Sequence, residues 1–187
     1  RFAPSAPAYY DASGMNIHIQ GDLLTAILTF ALALSVILRG RPYRQQVLYA
    51  VLSVNLFCFY LFGFMVQVED ASIWLRLQYS LAALIPITAT ALMATFLPEG
   101  QTFGRELYTL EYVLAPMFVI GTMAPLYKHP SYPLALGVYA YVTIALAYVG
   151  LFQGMLKSEG EAETRRLKYL VAGGAVTLVA VLFPNMD

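Results

Sequence analysis

Six apolar stretches, each close to the length an α-helix needs to cross a bilayer, dominate this chain. The hydrocarbon core of a membrane is about 30 Å thick and takes roughly 20 helical residues to span. The stretches run over Ile17–Leu38, Val47–Val68, Ile73–Leu97, Leu107–Leu126, Pro133–Leu156 and Leu167–Phe183. Gln20 and Asp22 are the only interruptions of the first, Glu111 stands near the start of the fourth, and the sixth is short. All are rich in Leu, Ala, Val and aromatic residues. They lack the strict alternation of membrane β-barrel strands, which need only about ten residues each. The expected fold is therefore all-α. It is a polytopic transmembrane bundle of about six spanning helices over residues 16–187, preceded by an extramembrane segment, residues 1–15.

Composition supports this. Charged residues make up 12% of the chain and hydrophobic residues 59%, whereas a soluble domain carries about 25% charge. A water-facing surface needs more charge than this, so the expected partner is the lipid bilayer. Net charge is zero, and no nucleic-acid partner is expected. Cys58 is the single cysteine, which excludes an intrachain disulfide and a cysteine-based metal site.

Basic residues favour the cytoplasmic side of a membrane. Arg39, Arg41 and Arg44 follow the first stretch, Arg105 the third, and Lys157, Arg165, Arg166 and Lys168 the fifth. Only Arg1, Arg76 and Lys128 fall on the other side. The expected topology has the N-terminus outside. Trp74, Tyr79, Tyr127, Tyr132 and Tyr139 sit near the outer boundary, a depth that amphipathic aromatics favour. The opening fourteen residues lack the apolar core of a signal peptide. Met15 is a candidate start, unless the chain is processed or begins upstream.

No nucleophile–base set, His-Glu-x-x-His, phosphate-binding Gly loop or Gly-x-Ser-x-Gly occurs. No catalytic residue, metal site or cofactor is expected, apart from contacts with lipid or pigment. His18 and His129, the only histidines, fall near outer helix ends and read as surface residues. Asp22, Arg76 and Glu111 lie within about two turns of a helix end, from which side chains reach the interface. Arg76 is expected to pair with Glu69 or Asp70. Uncharged polar groups occur at depth: Asn55, Gln78, Thr88, Thr90 and Thr95. Interhelical hydrogen bonds account for them, at about 0.6 kcal/mol each. Asn55, Gln78 and Thr88 are also candidate pocket residues, together with Pro86 and Pro116, whose kinks can open space between helices. Gly150 and Gly154 form Gly-x-x-x-Gly, and Gly173-Gly174 follow in the sixth stretch. These glycines are candidate helix–helix contacts, within the chain first and between copies second.

The segment Leu48–Pro98 runs from an aromatic-rich helix through a short acidic connector into Trp-Leu-Arg-Leu-x-Tyr and a Pro-bearing helix. With the Arg-rich exit LRGRPYRQQ and the basic entry ETRRLKYLVA at Glu163–Ala172, it resembles the N-terminal seven-helix membrane region of bacterial sensor histidine kinases. The resemblance covers about residues 16–187 and lies mostly in hydropathy. It implies a sensor or anchor in the inner membrane of a bacterium, with cytoplasmic PAS, kinase or cyclase domains after a seventh helix. The chain departs from that pattern by stopping after the sixth stretch. The seventh helix, phosphoacceptor histidine and ATP-binding boxes are absent from the sequence given. No enzyme activity is expected of it, and it reads as a fragment or as a reuse of the fold without a kinase. The alternative is an accessory or scaffold subunit of a larger membrane complex, binding neighbouring helices, pigments or lipids. A small-molecule carrier ranks third. A homodimer or larger assembly suits the first two readings.

Overall fold

A chain this poor in charge satisfies its backbone groups most readily within helices. A computed structural model of the chain describes residues 17–38, 43–69, 71–97 and 103–157, together with 168, 169 and 172. Five α-helices account for nearly all of them: α1 (Ile17–Ile37), α2 (Arg44–Val68), α3 (Ser72–Ala94), α4 (Phe103–Met123) and α5 (Ser131–Lys157). A single 3₁₀ turn, Pro125–Lys128, joins α4 to α5. At 1.5 Å per residue the helices are about 30–40 Å long. No strand occurs among the described residues.

Four of these helices, α1, α2, α3 and α5, are long and apolar enough to cross a membrane. α4 falls short of that measure because Glu106 and Glu111 dilute its apolar run. Of the sixth expected stretch only Lys168, Tyr169 and Ala172 are described, all helical. The rest, with Gly173 and Gly174, lies outside the described residues, as do the segment 1–15 and the arginines at 39, 41, 165 and 166.

Helix starts differ from the apolar boundaries in an informative way. α2 begins three residues before Val47. Its preceding residue, Tyr43, donates its backbone N–H to the Gln46 side chain at 3.3 Å. This occupies a group that a helix start otherwise leaves bare. α4 begins a full turn before Leu107, with Glu106 in its first turn, where the positive end of the helix dipole favours a carboxylate.

α3 is the central helix and packs against α2, α4 and α5, whereas α1 packs mainly on α2. The α1–α2 seam is built from small residues, with Ala26 and Ala33 almost fully buried on α1. The opposite face of α1 exposes Leu24, Ile27 and Leu28. Between α3, α4 and α5 the core is Ala83, Ala115, Leu136 and Tyr139, with Phe118, Tyr79 and Tyr132 against it. Small residues on α3 and α4 let those rings interleave, and Phe118 stacks on Tyr139 at 5.0 Å.

Candidate functional site

Polar side chains of α3 reach α2, α4 and the α4–α5 connector. At the end where α2 passes into α3, Arg76 donates from Nη2 to the Tyr127 hydroxyl at 3.2 Å, and its guanidinium lies 4.7 Å from the Tyr127 ring centre. One turn on, the Ser80 and Thr122 hydroxyls meet at 2.8 Å, joining α3 to α4. Gln78 projects from α3 to α2, where its Nε2 stands 2.7 Å from the point a Cβ on Gly63 would occupy. Gln67 of α2 donates to Asp22 of α1 at 3.0 Å. The expected pairing of Arg76 with Glu69 does not form. Glu69 accepts from the indole N–H of Trp74 at 2.9 Å, while Arg76 turns the other way, towards the α4–α5 connector. Asp70, the other expected partner, lies outside the described residues.

Halfway along α3, Pro86 is fully buried. Its missing N–H leaves the Ala82 carbonyl without a helical donor, and Tyr139 of α5 approaches the adjacent Ala83 carbonyl at 3.4 Å. Pro116, by contrast, lies on the exposed face of α4 and lines none of these contacts. Thr88 and Asn55 border one groove between α2 and α3.

Near the other end of α3 sits the least expected contact. Thr90 donates to Glu111 Oε1 of α4 at 2.7 Å, and Glu111 Oε2 is buried with no hydrogen-bond partner. Glu111 has no exposed surface at all. The expectation that it reaches the membrane interface is overturned. Because α4 starts at Phe103, Glu111 lies two turns inside the helix. It also belongs to the buried stripe Leu107–Glu111–Ala115, which recurs every four residues on the face turned to α3. Beside the pair lies a void of about 10 Å³, the space of one water molecule, lined by Thr90, Met93, Leu107, Ala147 and Gly150. Gly150 and Gly154 are both buried on the α5 face that turns inward.

Comparison with protein-family models, curated proteins and solved structures returns no match for this chain. The arrangement itself is what remains to be read. Among the described residues no three His, Cys, Asp or Glu side chains gather where a metal ion could bind. What it does is tie one central helix to its neighbours by polar contacts at both ends. Sequence reasoning singled out Asn55, Gln78, Pro86 and Thr88 on α3 and its neighbour α2, but missed the Thr90–Glu111 contact, Gly63 and the Arg76–Tyr127 contact.

Tyr127, in the connector, has a measurable signature. The hydrogen bond from Arg76 holds its phenol below the usual tyrosine range, helped by Ser72 and by the charges of Arg76 and Lys128, and opposed by partial burial. We expect an ultraviolet pH titration of the native chain, less that of Tyr127→Phe, to show one tyrosine ionising early. Arg76→Gln should move that step upward. The sign for stability follows: a lowered pKa in the fold favours the phenolate there. The contribution is therefore complete above the unfolded pKa and is lost as pH falls through the folded pKa. A Tyr127 step that coincides with the bulk of the tyrosines would contradict the contact.

Proposed function

We propose that this chain is the sensor or anchor region of a bacterial signal-transduction protein, resembling the membrane region of sensor histidine kinases. In this reading it crosses the inner membrane six times with its N-terminus outside and drives a cytoplasmic output domain. The observation that supports it best is the placement of α3. A helix interrupted at Pro86 carries polar contacts to α4 and to the α4–α5 connector at one end, and to α4 again at Thr90 near the other. A signal that favours one packing of α3 at the Arg76 end can thereby alter the Glu111 end, provided it binds the two packings differently.

The topology is tested with single cysteines at positions 41, 128 and 165 in a Cys58→Ser background. In intact cells a membrane-impermeant maleimide should label position 128 and spare 41 and 165. Labelling at 41 or 165 before lysis sinks the orientation. The signalling role is tested by the reading frame beyond Asp187, which should continue into an output domain whose activity shifts when Thr90 becomes Val. A stop codon at that point removes most of the support.

A second reading, an accessory subunit of a larger membrane complex, draws on α1. Only 11% of its apolar window is buried, which leaves a whole helix face for lipid or for a neighbouring chain. Comigration with a large assembly on native gels favours this reading, and migration as a monomer or dimer disfavours it.

A further inference from the structure

Two cations flank one ring where α3 meets the α4–α5 connector. The Arg76 guanidinium lies 4.7 Å from the Tyr127 ring centre, and Lys128 Nζ lies 6.0 Å from the same centre. Arg76 donates from Nη2 to the Tyr127 hydroxyl, and its Nε is buried without an acceptor. Nη1 is left as the group that an incoming acceptor meets. Of the described carboxylates, Glu69 accepts from Trp74, Asp22 from Gln67 and Glu111 from Thr90, while Glu106 stands at the far end of α4. Neither cation therefore has a described carboxylate to neutralise it. α3 begins at Ser72, one turn before Arg76, so the positive end of its dipole adds to the same corner.

The position selects the kind of anion. α3 is long and apolar enough to cross a membrane from Ser72 onward, which sets Arg76 near the boundary where lipid phosphates lie. Lys128 is exposed. Leading away from the connector, α4 exposes Met123, Ile120 and Met117, a track of apolar side chains three residues apart. We propose that the Arg76–Tyr127–Lys128 corner holds the phosphate of an anionic phospholipid, with Arg76 Nη1 and Lys128 Nζ donating to its oxygens and an acyl chain along Met123, Ile120 and Met117. An inorganic ion would leave that track uncovered. A zwitterionic lipid fits less well, because its ammonium group brings a third positive charge to two. The proposal goes beyond the sensor reading. It needs only that α3 cross the membrane, whichever side the connector faces.

The full chain in dodecyl maltoside micelles is given equal amounts of dioleoyl phosphatidylglycerol and dioleoyl phosphatidylcholine, and the lipid it retains is counted by native mass spectrometry. The two lipids share their acyl chains and differ in headgroup charge. The native chain should retain phosphatidylglycerol by preference. A basic residue beside anionic lipid contributes about fivefold in affinity, so Lys128→Gln and Arg76→Gln should each lower the preference about fivefold. Lys128 is exposed, so its variant keeps the test decisive even if Arg76→Gln does not fold. Arg44→Gln, which removes an exposed cation at the opposite end of the bundle, should leave the preference unchanged. Equal retention of the two lipids by the native chain overturns the proposal. So does a preference that Lys128→Gln leaves untouched, or that Arg44→Gln lowers equally. Melting followed by Trp74 fluorescence separates lipid from free anion. Phosphatidylglycerol should raise the melting temperature and sodium phosphate should not. An equal rise with sodium phosphate makes a free anion the ligand and overturns the proposal as well.

Discussion

Glu111→Lys should leave little folded protein in detergent extracts, and what survives should melt well below the native chain. The position has no exposed surface, and its one hydrogen bond comes from Thr90 as donor. A lysine there brings an ammonium group to a position with no exposed surface and no counter-charge among its contacts. An uncompensated buried charge of this kind costs about 3–5 kcal/mol, which is comparable with the whole stability of many domains. The conservative variant separates charge from shape. Glu111→Gln keeps an acceptor for Thr90 and should cost no more than about 1.5 kcal/mol, the worth of an ordinary hydrogen bond. Thr90→Val strands Glu111 Oε1 beside an Oε2 that already lacks a partner, and should cost about 1–3 kcal/mol. The double variant Thr90→Val/Glu111→Leu replaces both partners with apolar groups. It should recover most of the loss, since an apolar pair of similar shape is close to neutral. Trp74, the only tryptophan, reports the melt. If Glu111→Lys unfolds together with the native chain, Glu111 points outward and the packing of α4 on α3 is wrong.

That contact also marks where sequence reading ran out. The helical cores of α1 to α5 were legible, because apolar runs of spanning length admit few other structures. The start of α4 was not. Gly104, Arg105 and Glu106 read as a polar connector, yet a helix can continue past its apolar run when its first turn suits the dipole. Glu111 lies about two turns inside α4, as close to the helix end as expected, but on the face turned to α3, so it is buried instead of reaching the interface. The stripe Leu107–Glu111–Ala115 was the available signal, and it points to one face. Arg76 misled for another reason. Its acidic neighbours in sequence lie close by, but its partner Tyr127 is 51 residues away in the chain, and no local pattern announces such a contact. Asn55 and Thr88 were legible as polar groups at depth. That they border one groove depends on the pairing of α2 with α3, which hydropathy does not encode.

Gly63→Leu should be the most damaging change on α2. A Cβ at this position would lie 2.7 Å from Gln78 Nε2, 3.5 Å from Gln78 Cδ and 3.6 Å from Asp22 Oδ2. The nearest atom is the end of a flexible side chain, so a single methyl can be accommodated if the Gln78 amide swings aside. Gly63→Ala also gains about 1 kcal/mol of helix propensity, so its net effect should be small. A leucine extends past the space that Gln78 can vacate and must force α2 and α3 apart. Overpacking of this sort costs about 1–3 kcal/mol. It should also disturb the Gln67–Asp22 hydrogen bond that ties α1 to α2 one turn away. Gly21 and Gly137 supply the control, since a Cβ at either meets nothing within 4 Å. Alanine there should stabilise by up to about 1 kcal/mol through propensity alone. The series is read as melting temperature in detergent, with size-exclusion profiles to detect loosened bundles. The decisive comparison is Gly63→Leu against Gly137→Leu. If the two melt alike, the close approach of α3 to Gly63 does not exist, and Gln78 is free to face lipid.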